Sequence, residues 1–325
     1  MAKTVETAEA LEIPKPLNEL SESETVRKTH IGRVSTEVLR YLTDAFTSRG
    51  FAWLLPVIFS KSTDPLWPDP GASIEKRVET EIYGETVRTT LSMIIHKLVA
   101  SSTAYPKLFV LSPNVRIEKR ERKATGWHAY EFTQLDFEIR NASFKDIKRL
   151  VEGIIVGLAL QVKKQARRDL TYLGRYGSLK APSTPFRVHD REDLVAKYGD
   201  EWEIRLPQEI REPVWVTNIP REFYDFEDVA TGRWDNYDLF LPKYGEVLSG
   251  ARREWEYGKI TAKMERDGVK RENYAVLLKM AKEGKLKPSA GAGIGVERLV
   301  TWVTGAKHLG EVQAFPKVPG LVYEL

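Results

Sequence analysis

Alternating apolar and polar residues predict a pair of antiparallel strands near the middle of the chain, joined by a Lys/Arg-rich loop. The pattern runs from Leu108 to Arg140, LFVLSPNVRIEKRERKATGWHAYEFTQLDFEIR. Residues two apart in a strand face the same side. Arg116 with Glu118, and Asp136 with Glu138, therefore place charged groups together on one surface. On this pattern alone, a solvated face of a half-buried hairpin is the ordinary interpretation.

Helical spacing and end signals predict the elements around this hairpin. A helix is predicted from Ile31 to Arg49, where apolar residues recur at helical spacing and Gly50 ends the run. A strand closing on proline follows over residues 51–56. A capping pair, Ser143 and Asp146, predicts a second helix over residues 147–170, buried against the sheet. A short helix at residues 193–198 and a buried strand at 213–220 complete this pattern.

A glycine-rich stretch, AGAGIGVERLV, occupies residues 290–300. Its alternating glycines predict a strand that a flat ligand or another backbone can approach closely. Glu297 and Arg298 then open an apolar helix. The stretch is not a Rossmann dinucleotide turn, because the third glycine of that fingerprint is missing and the element lies too near the C-terminus to begin a βαβ unit.

Composition excludes several kinds of chemistry. The 325 residues are 42% hydrophobic and 30% charged, enough for one large domain or two modest ones. A net charge of +4 from 50 basic and 46 acidic residues is no strong nucleic-acid signature. The absence of cysteine rules out disulfides, thiolate catalysis and Cys-ligated zinc. No apolar run reaches membrane-spanning length and no signal-peptide pattern opens the chain, so we expect a cytoplasmic protein without a membrane partner.

Together the hairpin and the glycine-rich stretch resemble motifs 2 and 3 of the class II aminoacyl-tRNA synthetase catalytic domain, closest to its aspartyl and asparaginyl branch. Arg116-x-Glu118, Glu131-Phe132 and Leu135-Asp-x-Glu138 correspond to motif 2, and Gly293-x-Gly-x-Glu-Arg-Leu299 to motif 3. Residues 237–254, YDLFLPKYGEVLSGARRE, resemble the segment D-L…G-E-I…S-G-x-x-R-E of that branch. The helix, strand and proline over residues 31–56 resemble motif 1, which forms the dimer interface in the family.

This resemblance implies an α+β fold with an antiparallel β-sheet flanked by helices, the class II catalytic core. It implies a catalytic domain over residues 29–325 and a homodimer formed through motif 1. Residues 1–28, acidic and polar with two prolines, are expected to be a flexible N-terminal arm. The anticodon-binding domain that an aspartyl-tRNA synthetase would carry there has no room, so none is expected.

The resemblance also implies ATP and Mg²⁺ as cofactors. Arg116 is the expected catalytic residue, contacting the α-phosphate and the attacking carboxylate, a bidentate task suited to a guanidinium. Glu118 would hold the adenine amino group, while Phe132 and Arg298 would stack on the two faces of adenine. Glu246 completes the expected ATP-binding set.

The expected metal ligands are Asp238, Glu246 and Ser249, because oxygen ligands together with ATP phosphates suit Mg²⁺. For the amino acid, Asp136 would take the α-ammonium group, and Lys97 and Arg253 would hold the second carboxylate, with Ser249 assisting. One acidic and two basic holders fit a dicarboxylic substrate, namely aspartate.

The segment SKSTDP at residues 60–65 corresponds to a family loop over the bound amino acid, and Trp67, Pro68 and Pro70 indicate an irregular, lid-like connection. The sequence departs from the branch at three places. Ile94 replaces a glutamine, Ser289 lies where a histidine is usual, and Lys317 replaces the arginine of an F-P-R motif.

Aspartate can be activated at either carboxylate. The chain resembles an archaeal group of ammonia-using asparagine synthetases, built as stand-alone aspartyl-type catalytic domains, which implies activation of the β-carboxylate followed by attack of ammonia. The expected small-molecule partners are aspartate, ATP and ammonia, and tRNA is not expected.

Two alternatives remain open: a truncated aspartyl- or asparaginyl-tRNA synthetase-like ligase acting on tRNA or another acceptor, and a catalytically silent regulatory paralogue. The basic loop favours the first, because Trp127, His128 and neighbouring Lys and Arg side chains could touch an RNA acceptor end. A solvated loop explains the same residues.

Overall fold

The computed structural model describes residues 11–65 and 74–324. The lid-like connection predicted at Trp67, Pro68 and Pro70 lies outside these residues, as do the first ten residues of the predicted arm. The first helix, α1 (Glu22–Thr47), begins earlier than predicted, because Ser21 starts it with a capping box. Residues 22–28, which were expected to belong to the N-terminal arm, are therefore helical.

Eight more helices follow α1 in the part of the chain that the structure describes. Their bounds are α2 (Ile94–Ser102), α3 (Phe144–Gln165), α4 (Arg167–Tyr172), α5 (Arg191–Tyr198), α6 (Trp202–Glu209), α7 (Tyr257–Arg266), α8 (Ala275–Lys282) and α9 (Val296–Thr304). The helix predicted over residues 147–170 is divided into α3 and α4, and the Ser143–Asp146 capping box that starts α3 is confirmed.

The strands, in chain order, are β1 (Ala52–Leu54), β2 (Phe59–Ser60), β3 (Ile74–Lys76), β4 (Glu79–Ile82), β5 (Glu85–Thr89), β6 (Lys107–Val115), β7 (Ile117–Glu118), β8 (Glu131–Arg140), β9 (Arg187–Asp190), β10 (Val214–Thr217), β11 (Glu227–Asp228), β12 (Arg233–Trp234), β13 (Asn236–Leu241), β14 (Gly245–Arg252) and β15 (Ser289–Gly295). Eight of them form the central sheet in the order β1-β6-β8-β15-β14-β13-β10-β9.

The predicted α+β fold is confirmed, with one refinement of the sheet. In the sheet order β6-β8-β15-β14-β13-β10, every pair of neighbouring strands is antiparallel. The first pair, β6 and β8, is the predicted hairpin. The two edge strands, β1 and β9, pair in parallel, so the sheet is mixed.

The period-two alternation of β8 separates the core from a polar face. Leu135 and Phe137 belong to the main hydrophobic core, which α1, α3 and α9 build against the sheet. Asp136 and Glu138 therefore face the opposite side. A second cluster, from α2, α7 and α8 together with Phe223 and Tyr224, packs around that side. The charged residues of β8 consequently lie in a recess between the sheet and a smaller apolar layer.

Strand β15 places Ala290, Ala292 and Ile294 in the core, so its glycines face the recess. A Cβ atom at Gly291 would lie 2.1 Å from the Phe137 carbonyl oxygen and 2.3 Å from a carboxylate oxygen of Glu138. The close approach predicted here is thus made by the neighbouring strand and its side chain. None of the helices within residues 11–65 and 74–324 is long and apolar enough to cross a membrane.

Candidate active site

One cavity at the polar face contains all five residues that the sequence assigned to ATP. Its walls come from the loop between β7 and β8, the start of β14 and the start of α9. The residues that line it include Arg116, Glu118, Phe132, Glu246 and Arg298, together with Trp127, His128, Gln134 and Glu297. Residues from distant parts of the chain meet here because β8 and β15 are neighbouring strands.

One edge of the Arg116 guanidinium is fixed by hydrogen bonds to the backbone. Its Nε and Nη2 atoms donate to the Leu91 carbonyl oxygen at 3.1 and 3.0 Å. Its guanidinium carbon lies 5.3 Å from the centre of the Phe132 ring. A guanidinium fixed at one edge can present its remaining donors to an anion without losing much side-chain entropy.

The carboxylate of Glu118 is buried and already paired. Arg122 Nη1 lies 2.8 Å from Glu118 Oε2. Burial raises the pKa of Glu118, and the neighbouring Arg122 and Arg116 oppose that rise. An adenine amino group that binds Glu118 must therefore share this carboxylate with Arg122 or displace it.

Arg298 spans the far wall of the cavity. Its Nη1 atom donates to the Glu246 backbone carbonyl at 2.7 Å, and its Nε to the Trp127 carbonyl at 3.3 Å. His128 lies in the same wall, where burial and three arginines lower its pKa to about 3. The histidine is therefore neutral at physiological pH, and the positive charge of this wall comes from the arginines.

The predicted metal ligands lie on two paired strands. Asp238 of β13 is opposite Ser249 of β14, and Glu246 lies further along β14, beyond a bulge in the register. The Oδ1 atom of Asp238 is buried and has no hydrogen-bond partner among the described residues. Burial raises the pKa of Asp238 to about 7, with Glu246 adding to the rise and Arg221 opposing it.

An unpartnered, buried carboxylate oxygen near a second carboxylate fits a divalent cation. The described residues contain no group of three or more His, Cys, Asp or Glu side chains that could hold a metal. A Mg²⁺ ion here would therefore take its other oxygen ligands from water or a bound phosphate. Arg221, which the sequence analysis did not identify, binds the other oxygen of Asp238.

The residues predicted to hold the amino acid form a buried row of alternating charge. Lys97 Nζ lies 2.8 Å from Asp136 Oδ1 and 3.8 Å from Glu138 Oε2. Arg253 Nε lies 3.4 Å from Glu138 Oε1, and Arg253 Nη1 is paired with Asp225. The structure thus brings Lys97, Asp136 and Arg253 together as predicted, but each is already paired with a protein charge.

Ser289 fills the position where the related branch usually has histidine. Its hydroxyl donates to Glu138 Oε1 at 2.8 Å, so it supports the row of charges. Glu138 is fully buried, and its Oε2 has no hydrogen-bond partner among the described residues. The sequence predicted a charged face at Glu138 but no function for this residue.

A third group borders this row: Asp64, from the segment at residues 60–65 that was expected to cover the amino acid, and Glu222, which was missed. Asp64 Oδ2 accepts from the Ser92 hydroxyl at 3.1 Å and Asp64 Oδ1 from the Tyr224 hydroxyl at 3.0 Å. Glu222, two residues before Tyr224, is only 7% exposed. The available signal was the segment REFYD at residues 221–225, in which three charges surround two large aromatic residues.

Comparison with known proteins shows the family to which the chain belongs. The family model of tRNA synthetases class II (D, K and N) matches residues 20–319. The chain belongs to this family. Asparagine–tRNA ligases from Streptococcus suis and Streptococcus mutans are 28% identical to it over 273 and 267 residues, which is 74% of this chain and 58% of each ligase. The class II chain thus spans about three-fifths of the length of these curated relatives.

Solved structures of asparaginyl-tRNA synthetases share the fold. The enzyme from Pyrococcus horikoshii, complexed with asparaginyl-adenylate, matches 96% of this chain and 76% of its own at a TM-score of 0.81 and 22% identity. The Entamoeba histolytica enzyme, also in complex with asparaginyl-adenylate, matches 94% of this chain and 72% of its own, at a TM-score of 0.78 and 20% identity. The predicted class II catalytic core is therefore confirmed. The expectation that tRNA is not a partner is unsupported, because these relatives are tRNA ligases.

Proposed function

We propose that this class II chain activates the β-carboxylate of L-aspartate with ATP and transfers the aspartyl group to ammonia, giving asparagine, AMP and pyrophosphate. The observation that carries this proposal is the buried row in which Lys97 and Arg253 both approach Glu138. Both cations are already paired with protein carboxylates, so a substrate carboxylate would share them with those groups. Two such cations in a protected recess suit a substrate with two carboxylates, one of which is held while the other reacts.

Arg116 is the residue proposed to contact the reacting atoms. Two anions, a carboxylate and the α-phosphate, must approach each other, and negative charge grows on the transferring phosphorus. A guanidinium anchored on Leu91 and stacked over Phe132 meets both without reorganising. Glu118, Phe132 and Arg298 would hold the adenine in the cavity that they line.

Asp238 and Glu246 are proposed to hold Mg²⁺ with help from Ser249, and the ion would neutralise phosphate charge when bound. Arg221 contributes here by fixing one oxygen of Asp238, which leaves Oδ1 directed elsewhere. Asp136 is proposed to receive the substrate's ammonium group. To do so, its carboxylate must accept from the substrate as well as from Lys97.

The motif 2 loop supports a small acceptor. Two of the four basic side chains at residues 119–123 are ion-paired within the chain: Arg122 with Glu118 at 2.8 Å, and the largely exposed Arg120 with Glu75 at 3.6 Å. The loop backbone is also tied down, since the Gly126 carbonyl accepts from the Leu309 N–H at 2.8 Å. A loop folded onto its own domain has fewer free donors for nucleic-acid phosphates.

A second function, attachment of an amino acid to tRNA, is favoured by the relatives, which are named as asparagine–tRNA ligases. The same site would serve adenylate formation in both cases. The acceptor separates them, because one reaction needs ammonia and the other needs tRNA.

The test is incubation of the purified protein with ATP, Mg²⁺, aspartate and [15N]ammonium chloride, without RNA. We expect 15N in the amide of asparagine, with one AMP formed for each asparagine. Pyrophosphate exchange driven by aspartate or asparagine, with no amide and with charging of added tRNA, would establish the second function. Neither activity would leave the silent regulatory paralogue.

A further inference from the structure

The recess that holds the proposed amino-acid site contains more acid than base. Five carboxylates lie in it or at its border, against the cations of Lys97 and Arg253, and all seven residues are at least nine-tenths buried: Asp64, Lys97, Asp136, Glu138, Glu222, Asp225 and Arg253. Two further cations at the border, Lys263 and Arg221, are shared with Glu254 and Asp238. Aspartate itself carries a net negative charge. A site this acidic therefore gains stability when a further cation enters with the substrate.

Glu222 is the member of this group without a bonded partner. Its side chain makes no ion pair and no hydrogen bond with another described residue, although the residue is only 7% exposed. The charges that act on it most strongly are those of Asp64, Arg221 and Asp225, and Arg221 is committed to Asp238. Burial and the Asp64 charge raise the pKa of Glu222 well above its ordinary value.

The surroundings of Glu222 connect it to the substrate site on two sides. Asp64 is held by Tyr224 and by Ser92, and the residue after Ser92 donates its backbone N–H to Asp136 Oδ2 at 3.4 Å. On the other side, Asp225 is paired with Arg253. Glu222 is thus linked to both sides of the row: its carboxylate interacts with the charge of Asp64, and its backbone carbonyl accepts from the Asp225 N–H at 2.9 Å.

We propose that Glu222 and Asp64 bind an ammonium ion beside the aspartyl adenylate, and that Glu222 accepts the proton that turns it into the ammonia nucleophile. This inference rests on the proposed function and names the binding site of its second substrate. An ammonium ion presents four N–H donors, which suits carboxylate and hydroxyl acceptors such as those of Glu222, Asp64 and Tyr224. A bound ammonium ion favours the ionised form of Glu222, and in that form a carboxylate of raised proton affinity accepts a proton more readily than an ordinary one.

Ammonium gives one proton to the Glu222 carboxylate, and the nitrogen lone pair forms a C–N bond with the activated carbonyl carbon. The bond between that carbon and the phosphate oxygen breaks, and its electron pair leaves with AMP. The second surplus proton passes from nitrogen to the phosphate of AMP, so the amide keeps two of the four hydrogens.

The test compares the wild type with Glu222→Gln and Asp64→Asn. Both changes keep the size of the side chain and remove its charge, and circular dichroism would check that each variant folds. In steady-state asparagine synthesis we expect the KM for ammonium to rise about tenfold or more in each variant, with the KM for aspartate changed less than about twofold. Glu265→Gln is the matched control, because that side chain is 80% exposed, and it should change neither constant.

Hydroxylamine separates proton acceptance from general damage, because it is largely uncharged near neutral pH and needs no such base. Glu222→Gln should therefore form aspartyl hydroxamate at a rate close to wild type while asparagine synthesis falls. Equal losses with both nucleophiles, or a rise in the KM for aspartate alone, would overturn the assignment. The latter result would show that Glu222 serves the amino group of aspartate.

A binding measurement keeps this inference separate from the proposed function. Thermal unfolding of the wild type with ATP, Mg²⁺ and aspartate should show a higher Tm in ammonium chloride than in sodium chloride of equal ionic strength, and Glu222→Gln should lose the difference. If the wild type makes no asparagine but shows this ammonium effect, the cation site stands and the proposed function fails. Synthesis of asparagine with an unchanged ammonium KM in Glu222→Gln would refute the site alone.

Discussion

The buried pair of Lys97 and Asp136 gives the sharpest stability prediction. Lys97 Nζ and Asp136 Oδ1 are 2.8 Å apart, and the two side chains are 2% and 3% exposed. Lys97 also donates to the carbonyl oxygens of Phe137 and Ala292, at 3.4 and 3.2 Å. Lys97→Met removes one charge and leaves the carboxylate of Asp136 without its cation, while Glu138 keeps only Arg253.

Breaking a buried ion pair by removing one partner costs about 3–5 kcal/mol, because the remaining charge stays out of water. Lys97→Met should fall in that range. Asp136→Asn should cost less, because Lys97 keeps Glu138 at 3.8 Å and its two carbonyl acceptors. In the double variant the two changes remove each other's unpaired charge, so the coupling energy should be about 2 kcal/mol or more.

The assay is urea unfolding of the wild type, both single variants and the double variant, in the absence of ligands. Arg205 and Glu201 provide the control cycle, since their side chains are 58% and 65% exposed and Arg205 Nε lies 2.9 Å from Glu201 Oε2. That cycle should give less than about 1 kcal/mol throughout. A loss below about 1 kcal/mol for Lys97→Met, or additive effects in the Lys97–Asp136 cycle, would refute the reasoning.

Three further predictions concern the fold. Gly291→Ala should abolish soluble folding or ATP-dependent activity, because its Cβ would lie 2.1 Å from the Phe137 carbonyl oxygen. Gly153→Ala in α3 is the control, because a Cβ there meets nothing within 4 Å. It should raise the unfolding free energy by about 0.5–1 kcal/mol in denaturant titrations. Burial raises the pKa of Glu297 to about 7, so its folded carboxyl binds a proton more tightly than in the unfolded chain and stability falls as pH rises from about 4.5 to about 7. As the pH is raised across that window, the unfolding free energy of Glu297→Gln should rise by about 3 kcal/mol relative to that of the wild type. A difference between the two that does not depend on pH would contradict this. Leu55 is 89% exposed and lies beside the half-exposed Trp53, so it should lie in the dimer interface predicted from motif 1. Leu55→Glu should convert a dimer to a monomer, as measured by light scattering. An unchanged mass would exclude that interface.

Local patterns predicted the strands and the faces of the candidate site well. Alternation placed Asp136 and Glu138 on one face, and the structure puts them opposite Leu135 and Phe137 of the core. The cavity lined by Arg116, Phe132 and Arg298 could be predicted only from the resemblance of motifs 2 and 3, because those residues come from distant segments.

The pairing of charges within the site could not be predicted in the same way. Asp136 with Lys97, and Asp225 with Arg253, depend on how α2 and the end of β14 pack on the sheet, which no local periodicity encodes. The parallel edge strands have the same origin, since their partners are set by tertiary packing. Glu222 was missed for a related reason: the charges and aromatic residues of segment 221–225 mark a candidate, but their spacing does not show which of them faces the site.

The central claim is that the β-carboxylate of aspartate is the group that ATP activates. Aspartate labelled with 18O in the β-carboxylate, incubated with the protein, ATP, Mg²⁺ and ammonium, tests this directly by mass spectrometry of the AMP. We predict AMP that carries one 18O atom and asparagine that retains the other, and no label in AMP when only the α-carboxylate is labelled. Label passing to AMP from the α-carboxylate alone would contradict the account and return this site to aminoacyl transfer.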